Sequence, residues 1–163
     1  MLSEKIVASI NEQINKEIYS GYLYLSMAAY STSIGLNGFA NWFTIQLQEE
    51  LSHARKFYDY LKDKKGRIIL SSIDEPPKDF EGPRDLFFKT LKHEQMVTKR
   101  IDGLVELAKK EKDSVTEKFL QWFVAEQVEE EENASKILHK FDPTGKDKDV
   151  LLKIDSELAL RSL

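Results

Sequence analysis

Apolar residues recur along most of this chain at alternating spacings of three and four positions, the period of an α-helix that is buried on one side. The stripes fall in four long segments, at about residues 4–32, 37–64, 83–110 and 113 to just before Pro143. Two glycines mark the turn at residues 33–38, and Pro83 suits the first position of a helix. The segments are long and their apolar faces are wider than the seam of a two-stranded coiled coil. The pattern therefore predicts an all-α four-helix bundle.

The connection between the second and third segments, residues 65–82, is unusually long. In extended form it can travel the length of a bundle, so the helices it joins can run parallel, which predicts an up-down-down-up topology. A short amphipathic helix is expected at about 147–160, too short to be a fifth member of the bundle. We expect a single domain over residues 1–163, with the bundle at about 4–140.

Near its middle, each apolar stripe contains a glutamate that an ordinary hydrophobic core would not accept. These residues are Glu17, Glu50, Glu94 and Glu130. Each lies within about one turn of its helix midpoint, so helices packed in register would bring all of them into one layer. A single such glutamate is usually a boundary residue whose carboxylate reaches water. An unpaired buried carboxylate costs several kcal/mol or becomes protonated, so four at one level predict bound cations.

An imidazole and a side-chain amide complete the predicted layer. His53 follows Glu50 by three residues on the same helix face, a spacing that lets a carboxylate and an imidazole bind one ion. Gln127 lies in the stripe one turn before Glu130. Carboxylates with one imidazole suit iron(II) or manganese(II), with zinc as a competitor. Two divalent ions would balance the charge of four glutamates, with Glu50 as the candidate bridging ligand.

Other polar residues lie beside or outside the stripes. Three glutamates flank the layer and form either a second, weaker cation site or a solvated face: Glu49, Glu126 and Glu129. Tyr24, two turns beyond Glu17, can hydrogen-bond a site carboxylate, supply an electron or simply pack in the core. His93 and His139 lie outside the stripes, and we expect both at the surface or its boundary.

Composition narrows the classes of function. The chain has no cysteine, which excludes disulfides, thiolate metal sites and cysteine nucleophiles. Its net charge of −4 argues against nucleic-acid binding. No segment approaches the ~18 uninterrupted apolar residues of a membrane span, and the first residues show no signal-peptide pattern, so we expect a soluble, cytoplasmic protein without a membrane partner.

In the core glutamates, His53 and the residues around them, the chain resembles the haem-free prokaryotic ferritins, and the resemblance covers essentially its whole length. The resemblance rests on four stretches: 11–20, 48–54, 92–94 and 122–131. It implies iron(II) oxidation by dioxygen or peroxide, and storage of ferric oxyhydroxide in a hollow homo-oligomeric shell of 24 subunits. The short C-terminal helix would lie near the fourfold axes.

The resemblance also implies a ligand set. It assigns one iron to Glu17, Glu50 and His53. It assigns a second iron to Glu50, Glu94 and Glu130, with Gln127 nearby. A possible third iron would bind Glu49, Glu126 and Glu129, and Tyr24 matches the tyrosine that ferritins have beside the centre.

Two departures from related families refine this expectation. Bacterioferritins carry a haem-ligating methionine where this chain has Leu51, so we expect no haem. Gln127 and Glu130 stand where rubrerythrin-like sites have a second Glu-x-x-His, so oxygen atoms alone would hold the second metal. Two alternatives stay open from the residues themselves: a small di-iron oxygenase acting on an organic substrate, and a structural or cytokine-like helical bundle without metal.

Overall fold

The structure is a computed structural model that describes residues 2–163. Five helices account for most of them: α1 (Glu4–Ser33), α2 (Asn37–Asp63), α3 (Pro83–Lys110), α4 (Ser114–Leu138) and α5 (Lys148–Leu158). The helix boundaries agree with the predicted segments to within a few residues. No strand occurs in this described part of the chain, so the predicted all-α class is confirmed.

Local capping explains where several helices begin. The Ser3 hydroxyl accepts the backbone N–H of Ile6 at the start of α1, and an Asp113 carboxylate oxygen accepts that of Thr116 at the start of α4. Such side chains satisfy N–H groups that have no partner within a helix. Pro83 begins α3, where the missing N–H of proline carries no penalty.

α2 and α4 run antiparallel to each other. At mid-height, Gln46 of α2 donates to Glu130 of α4 over 2.7 Å. Near one end of the pair, the hydroxyl oxygens of Tyr60 and Thr116 lie 2.7 Å apart. Positions later in α2 therefore meet positions earlier in α4.

α1 and α3 are antiparallel by the same test, and this fixes the topology. Ser20 and His93 are hydrogen-bonded at mid-height, whereas Lys5 and Glu111 form an ion pair where α1 begins and α3 ends. The short turn after α1 makes α2 antiparallel to α1. α2 and α3 are thus parallel, and the predicted up-down-down-up arrangement is confirmed.

The loop at residues 64–82 runs along α1 from the end of α2 to the start of α3. The Asn11 amide donates to the Arg67 carbonyl over 2.9 Å, and farther along α1 the Tyr30 hydroxyl donates to the Phe80 carbonyl over 3.0 Å. Side chains of α1 thus satisfy backbone groups of a loop that has no secondary structure of its own.

The apolar core is divided into two clusters by a polar layer at mid-height. One cluster includes Met27, Phe39, Phe43, Phe87 and Phe141. The other includes Ile10, Phe57, Leu61, Ile101 and Leu120. On every long helix, residues of the two clusters lie on opposite sides of the predicted glutamate. The clusters therefore hold the helices in the register that brings the glutamates together.

α5 packs against the start of α2 at a point where the backbones almost touch. A Cβ atom on Gly38 would lie 1.7 Å from the carbonyl oxygen of Asp155, so only glycine fits there. The Asp155 side chain accepts the Phe39 backbone N–H, while Ile154 and Leu158 enter the first apolar cluster. Within residues 2–163, no helix combines the length and apolarity needed to cross a bilayer.

Candidate metal centre

All the predicted core glutamates are buried in the polar layer between the two apolar clusters. The exposed fractions are 2 % for Glu17 and Glu50, 1 % for Glu94 and 5 % for Glu130. One carboxylate comes from each of the four long helices, because the 3.6-residue period places these positions on the inward face. The bundle therefore contains a buried acidic layer.

Glu17, Glu50 and His53 form a group of possible ligands in which all three residues are buried. His53 Nδ1 lies 3.5 Å from a Glu50 carboxylate oxygen and 4.0 Å from Glu17 Oε2. One ligand atom from each residue lies within 4.8 Å of the other two, which is close enough for all three to bind one ion. Gln13 donates to Glu17 Oε1 over 2.6 Å, but Glu17 Oε2 is buried with no hydrogen-bond partner in the described chain. A cation at this position would satisfy that oxygen.

A second group surrounds the other ring nitrogen of His53. His53 Nε2 lies 3.7 Å from a carboxylate oxygen of Glu126, and ligand atoms of His53, Glu126 and Glu130 lie within 4.8 Å of one another. Glu126 is half-buried. The structure thus brings Glu130 together with Glu126, whereas the resemblance pairs Glu130 with Glu50 and Glu94.

Glu94 lies in the layer but belongs to neither of the two three-residue ligand groups found within residues 2–163. Hydrogen bonds hold its carboxylate instead. The Tyr24 hydroxyl donates to one of its carboxylate oxygens, and Gln127 Nε2 donates to the other over 3.1 Å. Gln46 plays a similar part across the layer, donating to Glu130 over 2.7 Å and to Glu50 over 3.3 Å. Together with Gln13, which donates to Glu17, neutral donors therefore orient all four carboxylates.

Burial dominates the acid-base properties of the layer. It raises the pKa of Glu17 to about 8 and that of Glu130 to about 8, with the negative charges of Glu50 and Glu94 adding to the respective shifts. Burial raises the pKa of Glu94 to about 7 and that of Glu50 well above its usual range. Carboxyl groups in the metal-free layer therefore retain protons near neutral pH. A divalent cation must displace these protons when it binds.

The three glutamates predicted to flank the layer do not meet as one group. Glu49 is paired with Arg161, and the Glu129 side chain is exposed. Neither joins a three-residue ligand group in the described part of the chain, and Glu126 is the only one of the three that does.

The prediction that His93 lies at the surface or its boundary is wrong, whereas His139 is exposed as expected. His93 is 5 % exposed, and its Nε2 lies 2.7 Å from Ser20 Oγ. Burial, with a smaller contribution from the positive charge of Arg100, lowers its pKa to about 4, so the imidazole is neutral at ordinary pH. The face of α3 that is buried is wider than a single stripe, and position 93 lies one turn from the buried Thr90 and Val97.

Several residues of the layer were not predicted. Gln13 and Gln46 each lie four residues before a site glutamate, Glu17 and Glu50, so the helical i, i+4 relation could have found them. Arg161 could not have been found this way, because its position depends on how α5 folds back onto α2.

The fold and the donor set together define a class: four-helix bundles that hold metal ions on inward-facing glutamates and a Glu-x-x-His pair. Comparison with known proteins is consistent with this class. The family model for the Ferritin-like domain matches residues 7–143. The bacterial non-heme ferritin of Bacteroides fragilis is 42 % identical over 161 residues, covering 99 % of this chain and 100 % of the relative. That of Staphylococcus epidermidis is 39 % identical over 162 residues, covering 99 % and 98 %.

Solved structures agree. An open-pore ferritin from the hyperthermophilic archaeon Archaeoglobus fulgidus superposes with a TM-score of 0.97 at 52 % identity, covering 99 % of this chain and 100 % of that one. A humanized archaeal ferritin superposes with a TM-score of 0.98 at 53 % identity, covering all of both chains. The chain belongs to the ferritin family of iron-storage proteins and to its haem-free prokaryotic type. This membership favours iron storage over both alternatives that the residues alone left open.

Proposed function

We propose that this protein oxidises iron(II) to iron(III) with dioxygen or peroxide at a site inside each subunit and stores the product as ferric oxyhydroxide. The observation that carries the proposal is the buried group of Glu17, Glu50 and His53, which includes a carboxylate oxygen with no other partner in the described chain. Iron is the substrate here, and the protein supplies its ligands.

The proposed ligands are those that the resemblance implies. One ferrous ion would bind Glu17, Glu50 and His53, which already lie close enough together. The other would bind Glu50, Glu94 and Glu130 beside Gln127. Within residues 2–163 these three do not form a ligand group, so the second ion would require the Glu94 and Glu130 carboxylates to move closer to that of Glu50, to which Glu130 is already linked through the Gln46 amide.

Electrons and protons balance for a pair of ferrous ions. Each ion loses one electron, and the resulting pair reduces dioxygen to hydrogen peroxide, or hydrogen peroxide to water, with uptake of two protons. Carboxyl groups with raised pKa values release protons when the ions bind, which places protons where the oxidant needs them. Tyr24, whose burial raises its pKa well above the usual value, stays protonated and donates to Glu94.

We further propose a homo-oligomeric shell, for which 24 subunits is the number implied by the resemblance, with Glu49, Glu126 and Glu129 as a possible third iron site. Several apolar side chains of α1 and of the 64–82 loop are exposed in the single subunit: Tyr22, Leu25, Ile69, Leu70 and Ile73. Because the loop lies along α1, these side chains lie on connected parts of the surface. Exposed apolar surface of this kind is typical of protein interfaces, which supports self-association.

The ferroxidase proposal is tested by mixing purified metal-free protein with iron(II) in air and following absorbance of the ferric product. Glu50→Gln should slow oxidation at least about tenfold, because both ions lose a ligand. Even replacing a residue that only hydrogen-bonds to a metal ligand can lower metal affinity or activity by about that factor. Glu132→Gln, on the exposed face of α4, is the matched control and should oxidise iron at the wild-type rate. Wild-type oxidation no faster than in a protein-free blank would refute the proposal.

Electron microscopy of the purified particle tests assembly and storage separately. A uniform hollow sphere that fills with electron-dense mineral after iron addition is expected. Particles no larger than a dimer would contradict the shell and favour an oxygenase-like function.

A further inference from the structure

The carboxy-terminal Arg161 reaches from beyond α5 to the edge of the acidic layer. Its guanidinium donates to Gln46 Oε1 over 2.9 Å and to a carboxylate oxygen of Glu49. The guanidinium carbon also lies 4.4 Å from the centre of the Trp42 ring, a distance typical of cation–π contacts. Three residues from successive turns of α2 thus bind one arginine.

The segment that carries Arg161 is itself fixed. The Asn41 amide donates to the carbonyl oxygen of Leu158, the last residue of α5, over 3.2 Å and to that of Arg161 over 3.1 Å. The Arg161 side chain is 20 % exposed. The guanidinium is therefore anchored at both its backbone and its head group.

Gln46 connects this arginine to the proposed ligands. Its side chain is fully buried, and its Nε2 donates to Glu130 over 2.7 Å and to Glu50 over 3.3 Å. An amide group has one accepting and one donating end, and its two orientations are close in shape. Because a guanidinium can only donate, Arg161 selects the orientation in which the amide NH₂ faces the carboxylates.

We propose that Arg161 is a positioning residue of the metal centre. It holds the Gln46 amide in the orientation that presents Glu50 and Glu130 as ligands. Docking of the C-terminal segment is thereby coupled to metal binding. The inference rests on the proposed function. Coupling of this kind is reciprocal: if the docked segment favours bound metal, bound metal favours the docked segment.

The test must separate positioning from charge. Removing Arg161 alone would take a positive charge away from a cation site and tighten binding by simple electrostatics. The variant Arg161→Gln/Glu49→Gln removes the ion pair as a unit and leaves the net charge unchanged. Lys153→Gln, on the exposed side of α5, is the control for an altered C-terminal segment.

Cobalt(II), which is coloured and stable to air, is the probe. Titration followed by visible absorbance should show that the double variant binds its tightest cobalt roughly fivefold more weakly than wild type, the effect expected for one lost hydrogen bond. Arg161→Lys/Glu49→Gln, which restores a single donor toward Gln46, should bind more tightly than the double variant with glutamine at position 161. Lys153→Gln should bind like wild type.

The outcomes distinguish the two proposals. If wild type binds cobalt and the double variant binds it equally well or better, the positioning role is wrong while the proposed function stands. If wild type binds no cobalt, both are wrong.

A measurement on wild type alone covers the case in which the double variant fails to fold. Hydrogen exchange of a peptide spanning residues 152–163 should slow when cobalt is bound. Unchanged exchange in that peptide would overturn the coupling.

Discussion

His53 and His93 are both buried at mid-height, yet their surroundings give them different chemistry. The two ring nitrogens of His53 face carboxylates of Glu50 and Glu126. His93 faces the Ser20 hydroxyl and the rings of Tyr19 and Tyr24. The first environment suits a metal ligand, whereas the second suits a neutral structural imidazole.

His93 should make the stability of the protein depend on pH on the acid side. Its pKa is about 4 in the fold and 6.5 when free, so between these values the unfolded chain binds the extra proton. Its contribution to the free energy of unfolding is therefore complete above about pH 6.5 and decreases as the pH falls toward 4, by up to about 3 kcal/mol. His93→Gln keeps a polar group near Ser20 without titrating.

Urea unfolding at about pH 5 and about pH 7 measures this effect. The acidic layer contributes equally to all variants, so the change in the free energy of unfolding from pH 5 to pH 7 should be more positive in wild type than in His93→Gln, whereas His139→Gln, at an exposed position, should match wild type. The same pH dependence in all three proteins would contradict the buried neutral state of His93.

Among individual residues, the sequence could predict those site residues that are polar or charged within an otherwise apolar helical stripe. The four core glutamates and His53 are recognisable because a charged or polar group interrupts a helical period. His93 was placed wrongly because it neighbours Glu94 on a face whose width is decided by packing against α1. Arg161 carries no local signal at all.

Among the elements, α5 depends most on a single close contact. Gly38 allows the backbone of α2 to approach Asp155, and α5 then brings Arg161 to Gln46. Helix boundaries could be predicted because caps and prolines act locally. The docking of α5 could not, because it depends on steric fit between residues more than a hundred positions apart.

Gly38→Ala should therefore lower the free energy of unfolding by about 1–3 kcal/mol, the usual cost of overpacking, and loosen α5. Gly103→Ala is the matched control. A Cβ at this exposed position of α3 meets no atom within 4 Å, so alanine should be neutral or stabilise by up to about 1 kcal/mol. The two variants are compared by their melting temperatures and by the rate of limited proteolysis after residue 140. Equal melting temperatures and equal cleavage rates would contradict the close contact.

At the scale of the whole molecule, the acidic layer opposes the stability that the two apolar clusters provide. The pKa of Glu17 is about 8 in the fold and 4.5 when free, so between these values the folded protein holds more protons than the unfolded chain. Glu94 and Glu130 behave in the same direction. The metal-free protein should therefore lose stability as the pH rises from about 4.5 through about 8.

The range from about pH 6.5 to about pH 8.5 isolates this effect, because His93 no longer contributes there. With a chelator present, the melting temperature should fall across the range. With saturating cobalt(II), the melting temperature should rise at each pH and the fall should shrink or disappear, because the ion stabilises ionised carboxylates. Parallel curves with and without cobalt would contradict a metal site in the layer.

The central claim is that these glutamates are buried because ferrous ions bind between them. The most direct measurement is an anomalous difference map from crystals of the metal-free protein soaked in ferrous salt without oxygen. We expect a pair of iron peaks, one between Glu17, Glu50 and His53 and one between Glu50, Glu94 and Glu130. A map with no peak among these side chains would contradict the account.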